Sequence, residues 1–215
     1  AAVVLYINSL AEAKAEADII CTSANAVEIV ESLPNERILF GPDKNLAGYV
    51  SQRVNKKIIP IPEHGHCYVH KMFNLQDLIF LKEIYPEAQI LVHPECDLDV
   101  QNFADKILGT NGMKKHVARS SQNTFIICTE LDMIPCLERD NPDKTFIPVT
   151  SQATCYSMKL HTIEKVEECL LKEEFMVKVE EKVARKFKEA MKRMLLVSKK
   201  KPATKPIREE AYVNE

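Results

Sequence analysis

Short apolar runs alternate with segments of helical pattern from residue 1 to residue 149. The runs at 3–6, 19–21, 37–40 and 57–60 are, after the leading Arg37 and Lys57, apolar at consecutive positions, the mark of strands buried on both faces. Between them lie 11–17, 26–32 and 45–54, where Ala, Glu, Lys and Leu favour helix. Polar breaks at Thr22-Ser23-Ala24-Asn25, Pro34-Asn35 and Gly41-Pro42-Asp43 separate the elements, and Ser9 is placed to cap the first helix. Asn74 is expected to cap a strongly amphipathic helix carrying Leu75, Leu78, Ile79 and Lys82, which Pro86 ends. The rhythm then restarts, with strands at 89–92, 106–108, 124–128 and 145–149 and helices at 98–104, 113–119 and 133–139. Such alternation predicts parallel sheets covered by helices. Two further helices, 162–172 and 183–197, close the pattern before a loose tail.

The two rounds superimpose. Residues 58–67, IIPIPEHGHC, align with 146–155 as Ile59 on Ile147, Pro60 on Pro148, Ile61 on Val149 and Cys67 on Cys155, 88 residues apart. One residue shorter, an offset of 87 lays Tyr6 on His93, Asn8 on Glu95, Ala17-Asp18 on Ala104-Asp105 and Ser23 on Thr110. Kept element order with sparse identity marks an old duplication. The expected fold is therefore α/β: repeated three-layer αβα units with short four-stranded parallel sheets around a pseudo-symmetric central site. The units are expected at 1–85 and 86–161, followed by C-terminal helices at 162–197 and a flexible tail at 198–215.

Composition narrows the function classes. A net charge of −2 over 215 residues gives no basic field for nucleic acid. No run approaches the roughly 18 apolar residues needed to span a bilayer, and the first ten residues lack the basic lead of a signal peptide. Seven cysteines, an odd count without a CxxC pair, argue against a disulfide framework. They point to a reducing, cytoplasmic setting in which most thiols serve as small core residues. The chain lacks an initial Met and opens directly in a strand, so it reads as beginning inside a longer protein.

Ligands of open parallel sheets bind beyond the carboxyl ends of the strands, where the aligned polar pairs fall. His93 and Glu95, two apart on an extended segment, address one side and suit acid–base chemistry near neutral pH; with Cys96 they also resemble a metal-binding group. Ser23 and Thr110 precede helices, where a hydroxyl suits a carboxylate or phosphate or serves as a plain cap. Lys44 is placed to meet an anion or to face solvent. His64 and His66 beside Cys67 raise zinc as an alternative, although the loop before Cys155 has no histidine. The repeat selects Cys67 and Cys155 themselves. Two thiolates complete no common iron site, since iron–sulfur clusters take three or four; a third unit before Ala1 would supply a third.

The motifs Tyr6-Ile7-Asn8, Cys21-Thr22-Ser23-Ala24-Asn25, Pro42-Asp43-Lys44-Asn45-Leu46, Gly65-His66-Cys67 with Val69-His70, His93-Pro94-Glu95-Cys96, Gly109-Thr110, and Cys155 with Met158-Lys159 resemble the quinolinate synthase family of NAD biosynthesis. The likeness spans residues 1 to about 197 and corresponds to that family's second and third domains. It implies a transferase that condenses iminoaspartate with dihydroxyacetone phosphate to quinolinate, using a 4Fe-4S cluster with one open iron. Cys67 and Cys155 match two of the three cluster cysteines. Substrate contacts fall on Tyr6, Ile7, Asn8, Ser23, His93, Pro94, Glu95 and Thr110, with Tyr6, His93 and Glu95 in catalytic roles. An upstream aspartate-oxidising enzyme is the implied partner. The family's first domain has no counterpart here, and Ser157 stands where the family usually has Asn. The competing expectation is a noncatalytic α/β remnant that binds a small acid or a partner protein.

Overall fold

The computed structural model describes residues 1–199 and contains two four-stranded parallel sheets. The first round runs β1 (Ala2–Tyr6), α1 (Ala11–Lys14), β2 (Ile19–Cys21), α2 (Ala26–Ser32), β3 (Arg37–Gly41), α3 (Lys44–Ser51) and β4 (Lys57–Pro60). A 3₁₀ turn at His70–Met72 leads into α4 (Leu75–Ile84). The second round runs β5 (Gln89–Val92), α5 (Leu98–Phe103), β6 (Lys106–Ile107), α6 (Thr110–Arg119), β7 (Thr124–Cys128), α7 (Met133–Asp140) and β8 (Thr145–Pro148). The short α8 (Tyr156–Lys159), α9 (Ile163–Lys172) and α10 (Glu181–Ser198) follow. The tail expected at 198–215 lies, beyond residue 199, outside the described residues.

Strand order is β2-β1-β3-β4 in the first sheet and β6-β5-β7-β8 in the second, the same topology twice. Backbone detail repeats as well. The Asp18 carboxylate accepts the Val3 N–H at 2.8 Å, and 87 residues on the Asp105 carboxylate accepts the Ile90 N–H at 2.7 Å. Lys57 N–H donates to Glu36 O as Thr145 N–H donates to Asn123 O, both at 2.8 Å. Each carboxylate gives a partner to the N–H of the second residue of its strand, β1 or β5.

Alternation along the second sheet separates two cores, as a period of two requires. Ile90 and Val92 of β5 join Ile126 and Cys128 of β7 on one face, with Val69, Phe73 and Leu78. Leu91, Phe125 and Ile127 point to the other face, against Met113, Val117 and Leu137. The first sheet buries Val4, Ile20, Ile38 and Phe40, and α10 returns to cover it. Phe187, Ala190, Met191 and Met194 form the stripe that packs there, flanked by a Lys186–Glu16 ion pair at 2.8 Å.

Three local expectations change. Ser9 does not cap α1; its hydroxyl donates to Tyr6 O at 2.9 Å, and Leu10 takes the N-cap position without a side-chain bond. The helix α6 begins at Thr110, three residues before its apolar face does, because polar residues can occupy a helix's first turn. Asn74 does cap α4, accepting the Asp77 N–H at 2.9 Å. That helix is only weakly two-sided, however: Leu78 is buried while Phe80 and Ile84 stand exposed.

Candidate active site

Tyr6 ends β1 and is buried, so its hydroxyl projects beyond the sheet's carboxyl edge. It accepts from Asn8 Nδ2 at 3.3 Å and lies against the side chains of Ser23 and Glu95. Burial first, and the Glu95 charge next, raise the Tyr6 pKa well above the usual phenol value. It therefore keeps its proton. Glu95 lies beyond β5, 6% exposed, with Oε2 3.2 Å from His93 Nδ1. Burial, with the Asp43 carboxylate adding to it, pushes Glu95 up to about 8. His93 is held well below the usual imidazole value by burial and by His70. The Glu95 backbone N–H also points at His93 Nδ1, 3.4 Å away. That nitrogen thus acts as an acceptor, and the carboxyl proton sits on Glu95 when the two meet.

The two cysteine loops are built alike. Asp43 caps α3 by accepting the Leu46 N–H at 2.7 Å, and its other oxygen accepts the Cys67 N–H at 2.8 Å. Glu130 accepts the Cys155 N–H at 3.1 Å. One carboxylate after the third strand of each round thus tethers the cysteine after the fourth. The loop before Cys67 lies directly on the Pro42 turn: a Cβ at Gly65 would stand 1.9 Å from Pro42 O, so no side chain fits there. Tyr68 crosses between the rounds. Its hydroxyl accepts the Tyr156 N–H at 2.6 Å and lies beside the Cys155 side chain.

A cavity of about 330 Å³ opens at this edge, lined by Tyr6, Asn8, Asp43, His66, Cys67 and Glu95 among others. That volume is at the small end for ligand sites and suits a metabolite rather than a nucleotide. His93 backs Glu95, and Ser23 backs Tyr6. Ser23 also faces the start of α6, where a Cβ on Gly109 would stand 2.8 Å from its Oγ; the exposed Thr110 follows directly. Ile7, Pro94 and Cys155 do not line the cavity. The Ile7 carbonyl accepts from Lys14 Nζ, and the Pro94 carbonyl from Gln101 Nε2. Cys96 is no third ligand of His93 and Glu95: it is buried, its Sγ directed at Cys128 O.

The chain was compared with known proteins. Residues 1–196 match the model of the quinolinate synthetase A protein family. The chain belongs to this family. It is 57% identical over 198 residues to the quinolinate synthase of Methanothermobacter thermautotrophicus, covering 92% of this chain and 65% of that protein. It is 47% identical to that of Methanocaldococcus jannaschii over 92% of this chain and 66% of the relative. For Thermococcus onnurineus the identity is 46%, with 92% and 65% covered. The chain thus spans about 65% of the length of these quinolinate synthases.

The family implies a metal cofactor, and the thiols present can be tested against it. Cys67 and Cys155 are free, neither is fully buried, and both pack against one apolar cluster. Cys21, Cys96 and Cys128 are sealed in the cores, where burial raises their thiols far above the ordinary value. Cys67 and Cys155 are thus the reachable thiols on the two tethered loops, and thiols of that kind are chemically suited to metal ligation.

Sequence reasoning passed over three functional neighbours. His70, three residues after Cys67, is buried and stacks on His93 with centroids 4.3 Å apart. Burial holds it down at about 4, so it is neutral. Asn45, on α3, donates to Glu95 O at 3.1 Å and to Asp97 at 2.9 Å, fastening the first round to the His93–Asp97 segment of the second. Gln101 donates to the carbonyls of Pro94 and Cys96 at 2.9 and 2.7 Å and pins the same turn. For His70 the C-x-x-H spacing was the available signal; Asn45 stood in the Pro42–Leu46 motif without a role of its own, and nothing local marked Gln101.

Proposed function

We propose that this chain supplies two of three cluster thiolates and most of the substrate-handling groups of a quinolinate synthase. The whole protein then condenses iminoaspartate with dihydroxyacetone phosphate to give quinolinate. One observation carries this: within a family match, two equivalent, reachable thiols stand on loops tethered alike, and one of them, Cys67, lines a small cavity together with Tyr6 and Glu95. Cys67 and Cys155 would hold a 4Fe-4S cluster together with a thiolate from outside this chain. When bound, that cluster supplies an open iron as a Lewis acid.

The residues of this chain do the rest. Glu95 exchanges protons with the substrate, and His93 behind it receives or returns them. Tyr6 keeps its proton and donates a hydrogen bond to substrate oxygen. The exposed Asn8 amide orients the substrate from the rim of the cavity. Ser23 and Thr110 hold a carboxylate or phosphate, Thr110 at the N-terminus of a ten-residue helix. Pro94 stiffens the His93–Glu95 segment, and Ile7 spaces Tyr6 from Asn8. Iminoaspartate must come from an enzyme that oxidises aspartate, and free thiols at a metal centre suit the cytoplasm. Among the described residues no helix is long and apolar enough to cross a membrane.

The test is anaerobic purification of the full-length gene product. The expected protein is brown, contains iron and sulfide, and makes quinolinate from the two substrates. Cys67→Ala or Cys155→Ala should each remove the colour. A colourless, iron-free protein that still carries the activity would overturn the assignment.

A further inference from the structure

Cys67, His70 and Glu95 bring one sulfur, one imidazole nitrogen and one carboxylate oxygen to within 4.8 Å of one another. His70 Nδ1 is buried and has no hydrogen-bond partner among the described residues. It lies 3.6 Å from Glu95 Oε2, beyond a good hydrogen bond but close to a ligand edge. Atoms bound to one tetrahedral zinc at about 2.0–2.3 Å stand roughly 3.3–3.8 Å apart. On its other side the ring is held by Thr129, with Nε2 3.1 Å from the hydroxyl Oγ1. An Nε2–H donated to Thr129 leaves the Nδ1 lone pair aimed at the space between Glu95 and Cys67. Metal-binding histidines are oriented in just this way by a partner on the second nitrogen. The Cys67 loop needs to bring its thiol inward by about an ångström to match.

From these contacts we infer that Cys67 Sγ, His70 Nδ1 and the Glu95 carboxylate form a site for one divalent cation of the zinc and ferrous class. Sulfur, nitrogen and oxygen donors together suit that class better than calcium or magnesium, and three protein ligands leave one position open. The site differs from a cluster centre in using Cys67 without Cys155, and the two compete for the Cys67 thiolate. A zinc ion there occupies the Cys67 thiolate and blocks cluster assembly at that position. Zinc-loaded protein is therefore refractory to iron and sulfide until the zinc is chelated.

Cobalt(II) titration of the metal-free chain tests this, read by the thiolate-to-cobalt absorption and the tetrahedral visible bands. One cobalt per chain is expected. Cys67→Ser should abolish the thiolate band, and His70→Ala and Glu95→Gln should each weaken binding more than about tenfold. Cys155→Ser should leave the titration unchanged, although it would abolish a cluster that uses both thiols. Glu95→Gln keeps the size of the side chain and decides the matter if His70→Ala does not fold. Binding insensitive to His70 and Glu95, binding lost in Cys155→Ser, or no binding at all would each overturn the site.

Discussion

The Tyr68 hydroxyl accepts a hydrogen bond from the backbone N–H of Tyr156, 88 residues away, at 2.6 Å. The two tyrosines follow the two repeat-related cysteines, so a residue of one round grips its own counterpart in the next. The same hydroxyl lies beside the Cys155 side chain. Tyr68 therefore positions Cys155 without joining the cavity.

Tyr68→Phe should free the Cys155 loop with little loss of stability, because the bond it removes is exposed to solvent. Alkylation of the metal-free chain followed by mass spectrometry should show Cys155 reacting several-fold faster, with Cys136 unchanged. Equal Cys155 rates in the two proteins would mean that the tyrosine does not hold the thiol.

Glu95→Gln removes a proton carrier while keeping the shape that contacts Tyr6 and His93. In the full-length enzyme, turnover should fall by about 10²–10⁴, with the amount of bound iron unchanged. Asn45→Ala acts on the same group indirectly, by releasing the bonds to Glu95 O and Asp97. It should lower turnover less than Glu95→Gln and leave the order of the two effects visible in steady-state rates.

Much of this architecture was legible in the sequence because its signals are local. Strands such as Phe125–Cys128 are apolar at every position, and the Pro-containing run before each cysteine repeats at a fixed offset. Pairing of Cys67 with Cys155 needed only that offset, and pairing of Tyr6 with His93 an offset one residue shorter. What escaped are contacts between distant segments. His70 meets Glu95 and Thr129 across 25 and 59 residues, and no spacing rule announces such a meeting. His64 and His66 drew the zinc alternative because they adjoin Cys67 in the chain, yet both are exposed, and His66 Nδ1 is spent on His64 O at 2.9 Å. The return of α10 to the first sheet was equally hidden: its stripe of Phe187, Ala190, Met191 and Met194 declares a buried face but not its target.

Acid sensitivity away from the site should trace partly to His116. Its Nε2 lies 2.6 Å from Gln89 Oε1, and its ring meets Phe125 edge-on at 6.5 Å. Burial, then the charges of Lys106 and Lys144, lower its pKa below the ordinary 6.5. The unfolded chain therefore takes up the proton first, so the stabilising share of neutral His116 is whole above pH 6.5 and is lost as pH falls below it. His116→Gln should flatten that part of the decline. Urea midpoints of the two proteins between pH 7 and 5 measure it, and parallel curves would contradict it.

Asp43 carries two jobs on one carboxylate, capping α3 through Leu46 N–H and holding Cys67 N–H. Its burial at 3% exposure raises its pKa, with the bonds from Leu46 and Cys67 opposing the rise. Removing it leaves two N–H groups short of partners. A lost cap costs about 1 kcal/mol and an unsatisfied buried donor about 1–3 kcal/mol. Asp43→Ala should therefore destabilise the chain by roughly 2–4 kcal/mol. Glu130 also holds two N–H groups, those of Cys155 and Asp132, but it is less buried and caps no helix. Water can replace it, so Glu130→Ala should cost only about 1 kcal/mol. If the tethers set the cysteine positions, Asp43→Ala will accelerate alkylation of Cys67 and not of Cys155, and Glu130→Ala will do the reverse. A pair of variants that changed both thiols equally would show that the loops are held by something other than these two carboxylates.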